Sequence, residues 1–276
     1  MDKMHFIDYA KGELPNQERL CDHLRKKGKF GIIEDDKSNP MTIRLLLARE
    51  GLDQIIDFCN SLNNSIKDQS SWETPDGYTV EPFLAHSTAA SGCVAYTPTL
   101  KIDPQPKFLV STPWKFISYQ GNYHLMREDT SSVYLFNFYK GLYVYFTNFG
   151  SSLDRIRYEI EKLYNCPSNL IEHWSRLTKS TNKTISWFNS QGWSNLTRIT
   201  TSARSIDITK CCQHRHRLVH DGFLLIKVSP DKYSVEIPDD PENPVCWNEA
   251  SSFCEKKFRD LIVLLNDIYD CMVNDV

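Results

Sequence analysis

With 276 residues, 41% of them hydrophobic and 24% charged, the chain has the make-up of a globular protein able to bury one sizeable core or two modest ones. Its net charge of -3 excludes a protein-wide pull on nucleic acid, so any such contact must come from a local basic patch or a subunit interface. No apolar stretch is long enough to span a bilayer, and Met1-Asp2-Lys3-Met4-His5 opens without a signal-peptide core. The nine cysteines lack framework spacing, which predicts free thiols and a cytoplasmic protein.

In chain order, the first 130 residues read as an α+β region. A helix is predicted from about Pro40 to Ile66, capped by Ser38-Asn39, with Ile43, Leu47, Ile55, Cys59 and Leu62 on one stripe. Strand-like runs surround it at Lys29 to Ile33, Gly92 to Tyr96, Lys107 to Ser111 and Trp114 to Ser118, punctuated by prolines. His86 to Cys93 reads as a small-residue loop. A hydrolase reading would take its nucleophile from Ser91 or Cys93 with His86, but the segment lacks the full G-x-S-x-G pattern.

From 131 onward the pattern becomes helical. Leu135, Tyr139, Leu142, Phe146, Phe149, Leu153, Ile156, Ile160 and Leu163 step by four and three, predicting a helix over about 131–164 that Gly141 and Gly150 mark for close packing or a bend. A second helix is predicted over about 169–190, with Ile171, Trp174, Leu177, Ile185 and Phe188 inward, ended by Gly192. A third is predicted over about 194–219, with Leu196, Ile199, Ala203 and Ile206 on one face and Gly222 as its stop. A hairpin follows, Phe223–Val228 and Tyr233–Ile237 around a Ser-Pro-Asp-Lys turn, then an acidic proline-rich loop. The last helix carries Cys254, Phe258, Leu261, Leu265, Ile268 and Met272 on one stripe. The expected fold is mainly α: a four-helix bundle over 131–276 with an inserted β-hairpin, preceded by the N-terminal α+β region of 1–130.

Chemistry concentrates in Arg215-His216-Arg217-Leu218-Val219-His220-Asp221-Gly222, at the end of the third predicted helix. Arginine is charged at any biological pH and forks onto two phosphate oxygens. Histidine titrates nearest neutrality. RNA brings its own nucleophile, the 2′-hydroxyl, so cleavage needs a base and positive charge on the crowded phosphate. A neutral His220 can serve as base or relay, Arg215 can hold the non-bridging oxygens, and His216 shares a helix face with His220. Arg215 and His220, however, lie five residues apart, about 140° around an ideal helix. They converge only if the helix end unwinds, if Arg215 reaches around, or if the partner residues come from a second chain.

This run resembles the R-x4-6-H signature of the HEPN superfamily (higher eukaryotes and prokaryotes nucleotide-binding), and the resemblance covers roughly residues 131–276. It implies a helical bundle with the motif near the end of a late helix. It further implies a metal-independent endoribonuclease, a homodimer whose two motifs form one composite site, and products ending in 2′,3′-cyclic phosphate and 5′-hydroxyl. By analogy the RNA-binding nuclease would be a toxin–antitoxin or antiviral-defence effector, with RNA, a second copy and an antitoxin or defence-system protein as partners and no cofactor. Catalytic roles fall on Arg215, His216 and His220. Arg217 supports them, and Asp154 is the nearest candidate for the acidic residue the family often adds from its first helix. The family commonly has a polar residue, often Asn, where this chain has His216. The alternative within the family is a non-catalytic protein that binds a nucleotide, RNA or a partner.

Rival readings use the same residues. A solvated basic helix end complements the helix dipole for tenths of a kcal/mol to about 1 kcal/mol. Cys212, His216 and His220 are spaced by four, with Cys211 and His214 nearby, and three ligands on one face suit zinc if a fourth comes from elsewhere. Trp174, Trp187, Trp193 and Trp247 could stack bases, though bundle packing is the simpler role. Outside these classes, the chain is a structural or interaction protein that recognises a partner through residues 1–130.

Overall fold

In a computed structural model the structure describes residues 12–29, 40–70, 79–88, 94–103, 114–119, 122–127, 133–179, 183–221, 224, 227–229 and 234–275. Those residues are mainly helical and fall into two compact units, one drawn from 1–50, 144–221 and 254–276, the other from 51–143 and 222–253. Each unit therefore takes residues from both sides of position 130.

The first unit opens on a helix absent from the sequence reading, α1 (Pro15–Lys26). Its signals are ordinary ones: Pro15 at the first helical position, Glu18 in the first turn, Arg25 and Lys26 in the last, and Gly28 beyond the end at φ +67. Leu20 and Leu24 are its buried face. Helix α2 (Pro40–Ser70) extends a turn past the expected end. Of the expected stripe, Ile55 and Cys59 are buried, whereas Ile43 and Leu47 are exposed and Met41, Leu45, Ala48 and Leu52 take the inward positions. Leu62 lies outside the residues whose side chains are described.

Helix α3 (Val133–Leu163) runs unbroken through both glycines and buries Leu142, Phe146, Phe149, Leu153, Ile156, Ile160 and Leu163 as the periodicity predicts. Asn165 at φ 49 and Pro167 close it. The second predicted helix is not a single element. A 3-10 turn (Ser168–Leu170), α4 (Trp174–Leu177) and α5 (Lys183–Ser190) replace it. Ser, Thr and Asn side chains compete for the backbone there: Thr178 donates to the Ser175 carbonyl and Thr184 to the Leu170 carbonyl. Ile171, Trp174, Leu177, Ile185 and Phe188 are nevertheless all buried, as expected. Gly192 stops α5 at φ +86.

The third predicted helix divides as well. Helix α6 (Ser194–Thr200) ends where the Thr200 and Thr201 hydroxyls turn back onto carbonyls of the preceding turn. Ser202 then caps α7 (Ala203–His216), accepting from the Ser205 amide at 3.2 Å. The break rotates the two pieces, so Ala203 and Ile206 face solvent, and Ile208, Cys211, His214 and Leu218 carry the buried face instead. Helix α8 (Ala250–Asp275) buries its whole predicted stripe from Cys254 to Met272.

Paired side chains fix how the first unit's helices run. Phe146 meets His214 and Asp154 meets Arg215, while Asp207 meets Lys257. Tyr145 donates to the Cys254 carbonyl at 2.7 Å and Tyr164 to Asp275 at 2.9 Å, so α3 and α8 run the same way. At the centre, buried Glu159 accepts from Arg155 at 2.7 Å and from Tyr269 at 2.8 Å, and Tyr269 in turn accepts from Gln17 at 3.1 Å. Burial raises the Tyr269 hydroxyl well above its usual range, and the neighbouring Glu159 carboxylate adds to the rise. This chain of bonds ties α1, α3 and α8 together.

The second unit holds a four-stranded antiparallel sheet in the order β1 (Thr79–Thr88), β2 (Val94–Asp103), β4 (Asn122–Arg127), β3 (Trp114–Tyr119). Trp114 to Ser118 is a strand as expected. The strands of 79–88 and 122–127 were not foreseen, because neither alternates cleanly. The runs at 30–33 and 107–111 lie outside the described residues. The hairpin forms with β5 (Lys227–Ser229) and β6 (Ser234–Pro238), Ser229 opposite Ser234, and a third strand, β7 (Trp247–Glu249), joins it. Phe58 and Phe138 pack with ring centroids 4.6 Å apart, and a Cβ on Gly141 would lie 3.0 Å from the Gly51 carbonyl oxygen, so that glycine marks a close crossing.

Glu249 caps α8. Its carboxylate accepts from the amides of Ser251 and Ser252 at 3.1 and 2.7 Å and from the Ser251 hydroxyl at 2.7 Å. Partial burial pushes this carboxyl up, but the serine bonds outweigh it and hold it below its usual range. A lowered folded-state value stabilises the fold above the ordinary carboxylate range and is lost as pH falls through the lowered value. Glu249→Gln is therefore expected to cost about 1 kcal/mol at pH 7 and progressively less in acid. Urea midpoints of both proteins at pH 7 and below pH 4 check this, and a gap that stays constant would contradict it.

Candidate functional site

Arg215 stands in the last turn of α7, and its Nη1 donates to the Asp154 carboxylate of α3 at 3.1 Å. Gly150, one turn before Asp154, makes the approach possible: a Cβ there would sit 2.7 Å from Arg215 Cδ and 3.3 Å from Nη1. The arginine stem thus lies across the bare backbone of Gly150 and its head reaches Asp154. Side-chain exposures of 37% and 51% leave the pair open to solvent, so its worth is positional rather than energetic. A guanidinium has five donors, and one bond to Asp154 leaves the rest of the fork for a ligand.

Beyond His216 the backbone widens into a π turn, Arg217–Asp221. Bonds from i to i+5 replace the α pattern there, so residues five apart come closer to one face than the 140° of a straight helix allows. Unwinding of the helix end is one of the three ways in which the sequence lets Arg215 and His220 converge, beside a long reach by Arg215 and a second chain. His216 and His220 are both exposed, with ring centroids 4.5 Å apart and planes tilted by 43°. Leu218 is buried and anchors the turn, and Val219 is exposed beside the histidines. Arg217 is half-buried. Gly222, the expected stop, lies outside the described residues.

Other members of the run face inward. His214 is fully buried and stacks on Phe146 at 4.7 Å with planes 11° apart, and Cys211 is buried too. Cys212 lies beside the Arg–Asp pair. Burial pushes its thiol up to about 12, with the Asp154 carboxylate adding to the rise and Arg215 opposing it. Among the described residues no three His, Cys, Asp or Glu side chains are grouped to hold a metal ion. Arg155 and Arg157, which follow Asp154 in sequence, are committed elsewhere: Arg155 to Glu159, and Arg157 to Glu161 at 3.0 Å and the Ile171 carbonyl at 2.6 Å.

The remaining candidates separate. His86 lies in β1, and Ser91 and Cys93 lie outside the described residues. Trp174 is buried with its indole N–H on the Thr209 hydroxyl at 3.0 Å, a packing role. Trp187 and Trp193 form a half-buried aromatic cluster with Tyr164 and Phe188. No helix among the described residues is long and apolar enough to cross a membrane.

Gly150 offers a test that separates placement from stability. In a helix interior alanine is favoured over glycine by about 1 kcal/mol, yet the added methyl must displace Arg215. Gly150→Ala is expected to keep or raise the urea midpoint while lowering any activity that depends on Arg215. An unchanged activity would show that the seat is unimportant.

No protein-family model matches this chain, and no curated protein or solved structure is found similar to it.

Proposed function

We propose that the chain is a HEPN-type, metal-independent endoribonuclease that cleaves RNA by attack of the 2′-hydroxyl on the adjacent phosphorus. His220 takes the 2′ proton, directly or through a relay with His216. The new 2′ P–O bond forms as the bond to the 5′ oxygen breaks, and that oxygen acquires a proton from the histidine pair. Arg215 neutralises the charge on the non-bridging oxygens. Asp154 acts as a positioning residue that holds the guanidinium, and Arg217 adds positive charge. Products carry a 2′,3′-cyclic phosphate and a 5′-hydroxyl.

One observation supports this reading: Arg215 is seated on Gly150 and Asp154 just before a π turn, and His216 and His220 lie side by side on the exposed surface of the same helix end. A helix end serving only to complement a dipole needs neither the glycine seat nor the π turn. Two copies of the motif across a homodimer axis would supply a second Arg–His set. A cytoplasmic toxin or antiviral effector is the role by family analogy.

Single-stranded RNA incubated with the purified protein in excess chelator is the test. Cleavage by the wild type, and relief of expression toxicity by His220→Ala, are expected. Tight RNA binding without cleavage would replace this reading with the non-catalytic binding protein, and activity abolished by chelation would overturn the metal-free mechanism.

A further inference from the structure

The exposed face of α3 does not end at the Arg215–Asp154 pair. One and two turns further along lie Tyr158 and Lys162, in the same i, i+4 row. Tyr158 is 39% exposed. The Arg155 guanidinium and the Lys162 ammonium each stand 5.3 Å from the centre of its ring. Arg155 is fixed from below by buried Glu159, so it holds the ring in place. Lys162 is exposed, and no carboxylate pairs with it among the described residues, whereas the neighbouring acids Asp154, Glu159 and Glu161 are each bound to an arginine.

We propose that Tyr158 and Lys162 form a nucleotide subsite next to the scissile phosphate, with a base of single-stranded RNA stacked on the Tyr158 ring and its phosphate on Lys162. The chemistry fits this occupant. Arg155, tied to Glu159, stays over the ring, whereas the exposed Lys162 can swing off it onto a backbone phosphate, and the face it leaves takes any nucleobase without reading its sequence. The subsite rests on the endoribonuclease reading for its position, because Tyr158 is one helical turn, about 6 Å, from the carboxylate that holds Arg215. It also explains how a chain of net charge -3 holds an anionic strand: the pull is local, along one row of one helix.

The test is fluorescence anisotropy of a fluorescein-labelled 2′-O-methyl decanucleotide of mixed sequence, which has no free 2′-hydroxyl, on the full chain. Tyr158→Ala is expected to weaken binding about tenfold, and Tyr158→Trp to match or exceed the wild type. Lys162→Ala is expected to lower the slope of log affinity against log salt by about 0.7, one single-strand phosphate contact. With cleavable RNA, Tyr158→Ala should raise KM and spare kcat. Equal binding by wild type and Tyr158→Ala, or Tyr158→Trp as weak as Tyr158→Ala, overturns the subsite while leaving the cleavage reading standing. A wild type that binds the probe through Tyr158 yet cuts no RNA overturns the cleavage reading and keeps the subsite.

Discussion

Arg215→Ala and His220→Ala are each expected to lower RNA cleavage by a factor of roughly 10² to 10⁴, the usual range for losing one transition-state donor or one general acid–base. The urea midpoint of either variant should stay close to that of the wild type, because the His220 side chain is exposed and the Arg215–Asp154 pair is open to solvent. Arg215→Lys tests the geometry rather than the charge. A lysine keeps the cation, but it cannot bond to Asp154 and fork onto a phosphate at once, so most of the activity should still be lost. Asp154→Asn, which removes the anchor and leaves the arginine, should fall between the wild type and Arg215→Ala. A midpoint that falls sharply with Arg215→Ala would mean that the pair holds the fold together instead of serving a ligand.

The opposite signature is expected at Glu159. Its carboxylate is fully buried on α3 and bound to Arg155 and to the Tyr269 hydroxyl. Glu159→Ala leaves the Arg155 guanidinium without its buried counter-charge and Tyr269 without its acceptor, at a cost of about 3–5 kcal/mol. That is a large share of the stability of any domain. Glu159→Gln keeps an acceptor for Tyr269 and restores part of the loss. Tyr269→Phe removes one bond and should cost about 1–2 kcal/mol. Urea denaturation of the three variants orders them, and a Glu159→Ala protein as stable as the wild type would show that the network is dispensable.

Helices whose apolar residues repeat over many turns were legible in the sequence. Helix α3 has the expected extent to within a few residues and buries its stripe from Leu142 to Leu163, and α8 buries its stripe from Cys254 to Met272, because each carries an unbroken four-and-three pattern. The segments of 169–190 and 194–219 show why the rest was not. Burial there follows the pattern through most of the first segment, but hydroxyl side chains at Thr178, Thr184, Thr200, Thr201 and Ser202 take up backbone groups and divide the helices. Helix α1 carried its own start and stop signals in Pro15 and Gly28 and could have been found from them.

At the candidate site the sequence supplied the residues and the obstacle together. Arg215, His216 and His220 stood out by type, and the five-residue offset between Arg215 and His220 left an unwound helix end, a long reach by Arg215 or a second chain as ways to bring them together. The π turn lies at that offset. Asp154 could be named only through the family resemblance, since 61 residues separate it from Arg215. Gly150 read as a packing glycine, and nothing local told that its neighbour would be the arginine itself. Tyr158 and Lys162 belong to no motif, and the pairing of the acids around them with arginines is visible only in the structure.

The most direct test of the central claim is cleavage of a DNA oligonucleotide carrying a single ribonucleotide, in excess chelator, with the products weighed by mass spectrometry. A 2′-hydroxyl mechanism predicts one cut, 3′ of the ribonucleotide, with a 2′,3′-cyclic phosphate on one fragment and a 5′-hydroxyl on the other, and no cut with His220→Ala. No cleavage, cleavage of the all-DNA strand, or cleavage that survives in the Arg215→Ala, His220→Ala double variant would contradict it.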